Sequence, residues 1–77
     1  MDEVIIRVDP HKLSATIEVV NRHEQLLGSG RFTTDQAGYT ARGYAKTWPH
    51  RVWAVEGAGG AGRALAQRLV AAGERVL

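Results

Sequence analysis

Val4-Ile5-Ile6-Arg7-Val8-Asp9-Pro10 is the stretch that decides the fold, and Arg51-Val52-Trp53-Ala54-Val55-Glu56 repeats its pattern further along. Each stretch is a nearly continuous apolar run, which is typical of a strand that is buried on both faces. Each run ends in a carboxylate, Asp9 in the first and Glu56 in the second. The sequence therefore predicts two buried strands, each delivering one acid at its end.

A hairpin is predicted between these two strands. Pro10 has no backbone N–H, so strand pairing should fail there. Ala15, Ile17 and Val19 then alternate with Thr16, Glu18 and Val20, which indicates a second strand. A polar turn follows at Asn21-Arg22-His23-Glu24, and residues 25–32 are suited to a third strand, which Gly28 and Gly30 weaken.

Two helices and a further strand complete the predicted order. Thr33-Thr34-Asp35-Gln36 fits a capping box, so a helix should begin there and end before Pro49. The glycine-rich residues 57–62 open a second helix with an apolar stripe at Leu65, Leu69 and Ala72, and Gly73 suits the position just past its end. Glu74-Arg75-Val76-Leu77 then begins a fifth strand. The order is βββαβαβ, and right-handed crossovers would place both helices on one face of the sheet.

Composition limits the classes of function. The chain has 77 residues, no cysteine and a formal net charge of +2. A chain of this length is one domain at most, and its three scattered histidines do not have zinc-ligand spacing. Its acidic start, with no long apolar stretch after it, argues against a signal peptide and a membrane span. We therefore expect a cytoplasmic protein with no membrane partner.

The motifs resemble those of a known family. The pattern V-D-P-H-K, a hairpin, a helix ending near Trp48, and R-V-W-A-V-E-G before a helix of small residues is similar to the amino-terminal domain of DEDD-type transposases of the insertion sequence 110 family. The resemblance runs from about Val4 to Leu77. It implies an α/β, ribonuclease H-like (RuvC-like) fold with a mixed sheet in strand order 3-2-1-4-5, and residues 1–77 would be an incomplete version of that domain.

The resemblance also implies a function. Asp9 and Glu56 match the first two acids of the family's catalytic, Mg²⁺-binding set, while two further aspartates and a serine-bearing domain have no counterpart in these 77 residues. Family members act on DNA in transposition and recombination, guided by RNA from their own element. We expect the 77-residue chain alone to be inactive.

Chemistry favours the same two residues. Mg²⁺ prefers hard oxygen ligands, and phosphodiester cleavage in such folds uses two metal ions held by carboxylates from different elements. The alternative is that Asp9 is an ordinary turn residue and Glu56 an acid favoured by a helix N-terminus. The family usually has a small residue where this chain has Arg7. Side chains two apart on a strand share a face, about 6.6 Å apart along the chain, so Arg7 is predicted to pair with Asp9 and compete with a cation.

Other readings remain open. Lys12 is a candidate for contacting a nucleic-acid phosphate, although a solvated lysine is the more frequent case. Gly57, Gly59 and Gly62 satisfy the G-x-G-x-x-G pattern of a nucleotide-binding module, but Glu56 would place a negative charge beside the pyrophosphate. An actin-like fold would need glycine and Ser or Thr directly after Asp9. A non-catalytic, self-associating remnant is the third reading, because apolar strand residues that face away from the helices would be left bare.

Overall fold

A computed structural model describes residues 3–33, 43–44 and 46–77 of the chain. They form a four-stranded mixed sheet and one helix. The strands are β1 (Val4–Pro10), β2 (Ser14–Val20), β3 (Leu26–Thr33) and β4 (Arg51–Val55), and the helix is α1 (Arg63–Ala71). The strand order is β3-β2-β1-β4, which confirms the predicted mixed α/β sheet and the predicted neighbours of these four strands.

β1 is the central strand and fixes the register of the sheet. It pairs antiparallel with β2, where Arg7 lies opposite Glu18, and parallel with β4, where Val8 lies opposite Val55. Pairing with β2 ends at Pro10, as the missing N–H of proline predicts. A parallel neighbour needs a long connection back to the same end of the sheet, and the residues between β3 and β4 provide it.

One face of the sheet carries the core. Its buried strand side chains come from alternate positions, as the period of two in a strand requires; they include Ile6, Val8, Ile17, Val19 and Trp53, each at most 1% exposed. Ala66 and Leu69 of α1 pack on this cluster, and so do Tyr44 and Trp48 from the other connection. The helix α1 and the described residues of the connection between β3 and β4 therefore pack on one face, as the right-handed crossovers predict.

The helix α1 differs from its predicted stripe in one residue. Leu69 is buried as expected, but Ala66 rather than Ala72 is its buried partner, and Ala72 is exposed. Ala72 is the C-cap residue, so the chain is already leaving the sheet there. Gly73 follows with φ 86°, the left-handed conformation predicted for the position past the helix end.

The residues after α1 start to add to the sheet beside β4. Val76 makes a parallel bridge with Trp53, because Trp53 donates its N–H to the Arg75 carbonyl and Leu77 donates to the Trp53 carbonyl. This is where the predicted fifth strand should lie, although a single bridge rather than a strand is formed. The predicted helix over residues 33–48 falls largely outside the described residues. At its end, Trp48 donates its N–H to the Tyr44 carbonyl, a helical bond.

The face opposite the helix carries both apolar and polar side chains. Ile5, Val52 and Ala54 point to it, but Val52 is buried and the other two are half-buried. These residues are therefore not bare as expected, and the same face also carries the buried Val20, opposite Ile5, together with Arg7, Thr16 and Glu18. Self-association of the chain stays a prediction. No helix among the described residues is long and apolar enough to cross a membrane.

Candidate functional site

Asp9 and Glu56 lie side by side at one end of the sheet. Asp9 comes one residue after Val8 on β1, and Glu56 comes one residue after Val55 at the end of β4. Val8 and Val55 are register partners, and the Glu56 N–H donates to the Val8 carbonyl at 2.9 Å. Val8 and Val55 face the core. Because side chains alternate along a strand, the residues that follow them, Asp9 and Glu56, face the opposite side of the sheet. The register therefore places both acids at the same end of the sheet, and their binding of a metal ion stays a prediction.

An open groove of about 420 Å³ lies over this end of the open face. We call it the carboxylate groove, because three of its side chains are acids. The side chains that line it from the sheet are Arg7, Asp9, Thr16, Glu18, Ala54 and Glu56, and Leu77 also lines it. Asp9, Arg7 and Glu56 are exposed to solvent, and Thr16 and Glu18 are half-buried.

His11 is the nearest described partner of Asp9. Its Nε2 atom lies 3.7 Å from Asp9 Oδ2 and 3.3 Å from Thr16 Oγ1. The histidine and aspartate side chains are 45% and 55% exposed. A nucleophile activated by histidine needs its acid partner on the other ring nitrogen. Here the hydroxyl and the carboxylate face the same nitrogen, so the three residues do not form a catalytic triad.

Arg7 lies in the groove without an ion pair to any residue the structure describes. The predicted pair between Arg7 and Asp9 is therefore not formed. Asp9 is two residues ahead on the same strand, and Glu18 is directly opposite on β2. The guanidinium is thus placed among carboxylates without a direct bond to one of them.

Glu18 is a groove residue that the sequence reasoning missed. The signal was present in β2, because the alternation that buries Ile17 and Val19 turns Glu18 toward the open face. The alternation alone does not give the register of β2 against β1. That register follows once Ala15 is paired with Pro10, which sets Glu18 opposite Arg7.

The donor set of the groove suits one hard cation better than a two-ion centre. Mg²⁺ in proteins keeps several waters and is often held by one or two carboxylates together with a substrate phosphate. Exposed Asp9 and Glu56 in an open groove meet that description. Within residues 3–33, 43–44 and 46–77, no group of three or more His, Asp or Glu side chains is gathered closely enough to hold a metal ion. A two-ion centre needs ligands beyond those described.

Lys12 lies outside the groove. It occupies the exposed turn between β1 and β2, and it is absent from the residues that line the groove. The turn is closed by the His11 N–H, which donates to the Ser14 carbonyl at 2.6 Å. The structure therefore gives Lys12 no contact with the two acids, and its role in binding a phosphate stays a prediction.

The glycine-rich turn before α1 is built for packing. The N–H groups of Gly60 and Gly62 both donate to the Gly57 carbonyl at 2.8 Å, and the Arg63 N–H donates to Gly60. These donors are turned inward, whereas a phosphate loop directs its N–H groups at the ligand. A Cβ atom on Gly62 would lie 2.6 Å from both the Glu56 carbonyl oxygen and Val55 Cγ1. The close approach of α1 to the end of β4 is thus sufficient reason for glycine at position 62, and no bound nucleotide is needed to account for it.

A charged cluster on the core face holds the last residues in place. Glu74 accepts two hydrogen bonds from Arg51, at 2.6 and 2.7 Å, and one from the indole N–H of Trp53 at 2.6 Å. The Arg51 hydrogen bonds are the main reason that the pKa of Glu74 is lowered, with desolvation opposing them. The pKa of Arg51 is raised by the same pair. This cluster fixes the segment that ends in Leu77, at the wall of the groove.

Comparisons with protein-family profiles, with curated proteins and with solved structures find no match to the chain.

Proposed function

We propose that these residues form part of a ribonuclease H-like domain of a DEDD-type transposase of the insertion sequence 110 family, which acts on DNA. The observation that carries the proposal is the adjacency of β1 and β4, with Asp9 and Glu56 in one groove at the same sheet end. Two acids that are far apart in the sequence come together only if the crossover brings β4 beside β1. An ordinary turn aspartate and helix-start glutamate would not require this arrangement.

The topology supports the proposal at a second point. A ribonuclease H-like sheet in the order 3-2-1-4-5 needs the fifth strand beside β4, parallel to it. The Trp53–Val76 bridge is parallel and lies on the side of β4 away from β1. The segment after α1 therefore starts in the place that the proposed fold requires.

In the proposed function Asp9 and Glu56 hold Mg²⁺ in the carboxylate groove. When bound, the ion supplies charge for activating an attacking oxygen and for stabilising a leaving one. The protein residues position that charge beside the sheet end and leave the groove open to a DNA phosphate. DNA is the proposed substrate, with an RNA guide encoded by the same element as a further partner.

DNA binding that depends on Mg²⁺ tests the proposal. We expect the chain to bind a fluorescein-labelled DNA duplex weakly, more tightly in Mg²⁺ than in EDTA, as measured by fluorescence anisotropy at low salt, where phosphate contacts are strongest. Asp9→Asn should remove the effect of Mg²⁺, since it neutralises one carboxylate of the pair. Glu3→Gln is the matched control, because Glu3 is an exposed acid paired with Arg75. Equal affinity in Mg²⁺ and EDTA for all three proteins would refute the proposed role of the groove.

We expect the 77-residue chain to lack nuclease activity. Its described residues offer two converging carboxylates, and a two-ion phosphodiester cleavage needs more ligands than these. Supercoiled plasmid incubated with the chain and Mg²⁺ or Mn²⁺ should remain uncut on an agarose gel. Nicking by the wild-type chain that Asp9→Asn abolishes would show that two carboxylates suffice.

A further inference from the structure

We propose that Arg7 binds a phosphate group in the carboxylate groove and thereby couples phosphate binding to Mg²⁺ binding. This inference rests on the proposed function, because it assigns the cation to Asp9 and Glu56. It adds a residue that the family resemblance does not supply, since the family has a small residue where Arg7 stands. It also replaces the simple competition between Arg7 and a cation that the sequence predicted.

The position of Arg7 suits a phosphate ligand in the groove. Its side chain lines the same groove as Asp9 and Glu56, and no described carboxylate pairs with it. The guanidinium has five N–H donors in a planar fork, which matches the oxygens of a phosphate. An arginine without an ion pair keeps those donors available to a ligand that enters the groove.

The charge of the groove favours binding of the two ligands together. Three carboxylates, Asp9, Glu18 and Glu56, line the groove together with one guanidinium, so a phosphate alone meets net repulsion. A divalent cation alone is attracted by the acids but repelled by Arg7. When the two ligands enter together, the cation offsets the acids and the phosphate offsets both the cation and Arg7. Each ligand therefore binds better in the presence of the other, and this coupling is reciprocal.

Placement within the groove separates Arg7 from the other candidate cation. Lys12 lies in the exposed turn between β1 and β2 and does not line the groove. Arg7 is one strand period behind Asp9 on the same face of β1, about 6.6 Å along the chain. A phosphate that contacts a cation at Asp9 would thus have its other oxygens directed along the groove toward Arg7.

Two-dimensional ¹H–¹⁵N NMR titrations test the proposal. The probes are MgCl₂ alone, methyl phosphate or dimethyl phosphate alone, and each phosphate with MgCl₂. The monoester represents a terminal phosphate and the diester an internal DNA phosphate. The proteins are the wild type, Arg7→Gln, Arg7→Lys and Arg68→Gln. Arg68 is the matched control, because it is an exposed arginine of α1 on the opposite face of the sheet.

In the wild type we expect phosphate to shift the amides of Arg7, Asp9 and Glu56 only when Mg²⁺ is present. Arg7→Gln should bind Mg²⁺ alone about threefold to tenfold more tightly, because a unit charge about 6.6 Å from the ion is removed. The same variant should lose the gain in Mg²⁺ affinity on adding phosphate. Arg7→Lys keeps the charge, so it should bind Mg²⁺ alone as the wild type does and couple the two ligands less strongly. Arg68→Gln should match the wild type.

Two results would overturn the inference. The first leaves the proposed function intact, and the second refutes the proposed function as well. If Mg²⁺ shifts Asp9 and Glu56 equally in the wild type and Arg7→Gln, with the same effect of phosphate, Arg7 has no role while the carboxylate site stands. If Mg²⁺ shifts neither Asp9 nor Glu56 in any variant, the proposed function fails along with the inference. The dispersion of each spectrum shows directly that the variant is folded.

Discussion

Replacement of Glu74 by glutamine is expected to lower the free energy of unfolding by about 2–3 kcal/mol at neutral pH. Glu74 accepts two hydrogen bonds from Arg51 and one from the indole of Trp53, and its side chain is only 15% exposed. Glutamine would turn an N–H₂ donor toward the donors of Arg51. The arginine would then keep its bonds to the Trp48 and Pro49 carbonyls but lose its counter-charge.

Urea unfolding followed by tryptophan fluorescence, to which the buried Trp53 contributes, measures this effect. Glu3→Gln is the matched control, because Glu3 also pairs with an arginine, Arg75, at 2.8 Å, but both side chains are well exposed. An exposed pair of this kind contributes at most about 1 kcal/mol. Equal losses in Glu74→Gln and Glu3→Gln would show that the core-face cluster adds nothing beyond an ordinary surface pair.

The same cluster predicts the acid sensitivity of the fold. The pKa of Glu74 is lowered below its ordinary value of 4.5, mainly by the Arg51 hydrogen bonds. The stability that Glu74 contributes is therefore fully present above pH 4.5, and it is lost as the pH falls through the lower pKa of the folded state. We expect the difference in unfolding free energy between the wild type and Glu74→Gln to narrow below pH 4.5. A difference that stays constant down to strongly acidic pH would contradict the assignment.

Gly62→Ala is expected to destabilise the fold by about 2–3 kcal/mol through a steric clash. The added Cβ would lie 2.6 Å from the Glu56 carbonyl oxygen and from Val55 Cγ1, so α1 must move away from the end of β4. The backbone of Gly62, with φ −92° and ψ 3°, suits alanine. The effect would thus come from lost space and not from backbone strain, and it would disturb the position of Glu56.

Gly59→Ala provides the matched control for this substitution. It lies in the same turn, and no atom lies within 4 Å of its added Cβ. Its unfolding free energy should stay within about 0.5 kcal/mol of the wild type. Urea unfolding of both variants tests whether close packing requires glycine at position 62. If both alanines were tolerated equally, close packing of α1 on β4 would not be the reason for Gly62.

Most of the sheet could be predicted from local pattern. The apolar runs of β1 and β4 and the alternation in β2 are strong signals, and the one-face rule for crossovers follows from chirality. These signals also placed Asp9 and Glu56 together, because the ends of parallel neighbours meet at one edge. The strand order alone thus predicts that the two acids lie at the same end of the sheet, and no information on side-chain contacts is needed.

The remaining features depend on contacts that pattern does not encode. The predicted pair of Arg7 with Asp9 was wrong, because two side chains on one strand face need not point at each other. Glu18 was missed for lack of the hairpin register. Glu74 was read as part of a short strand, and its link to Arg51 and Trp53 arises only when the chain after α1 packs back onto β4. In each case a distant element decides the partner of a charged side chain.

The paired carboxylates at the end of β1 and β4 are the central claim, and Mn²⁺ relaxation in NMR tests it most directly. At substoichiometric Mn²⁺ the account predicts that the amide signals of Val8, Asp9 and Glu56 broaden first, ahead of those of Glu3 and Glu24 at the opposite end of the sheet. Asp9→Asn should remove this pattern, and Glu3→Gln should leave it intact. Broadening that affects Glu3 and Glu24 as strongly as Asp9 and Glu56, or that survives Asp9→Asn unchanged, would contradict a cation site in the carboxylate groove.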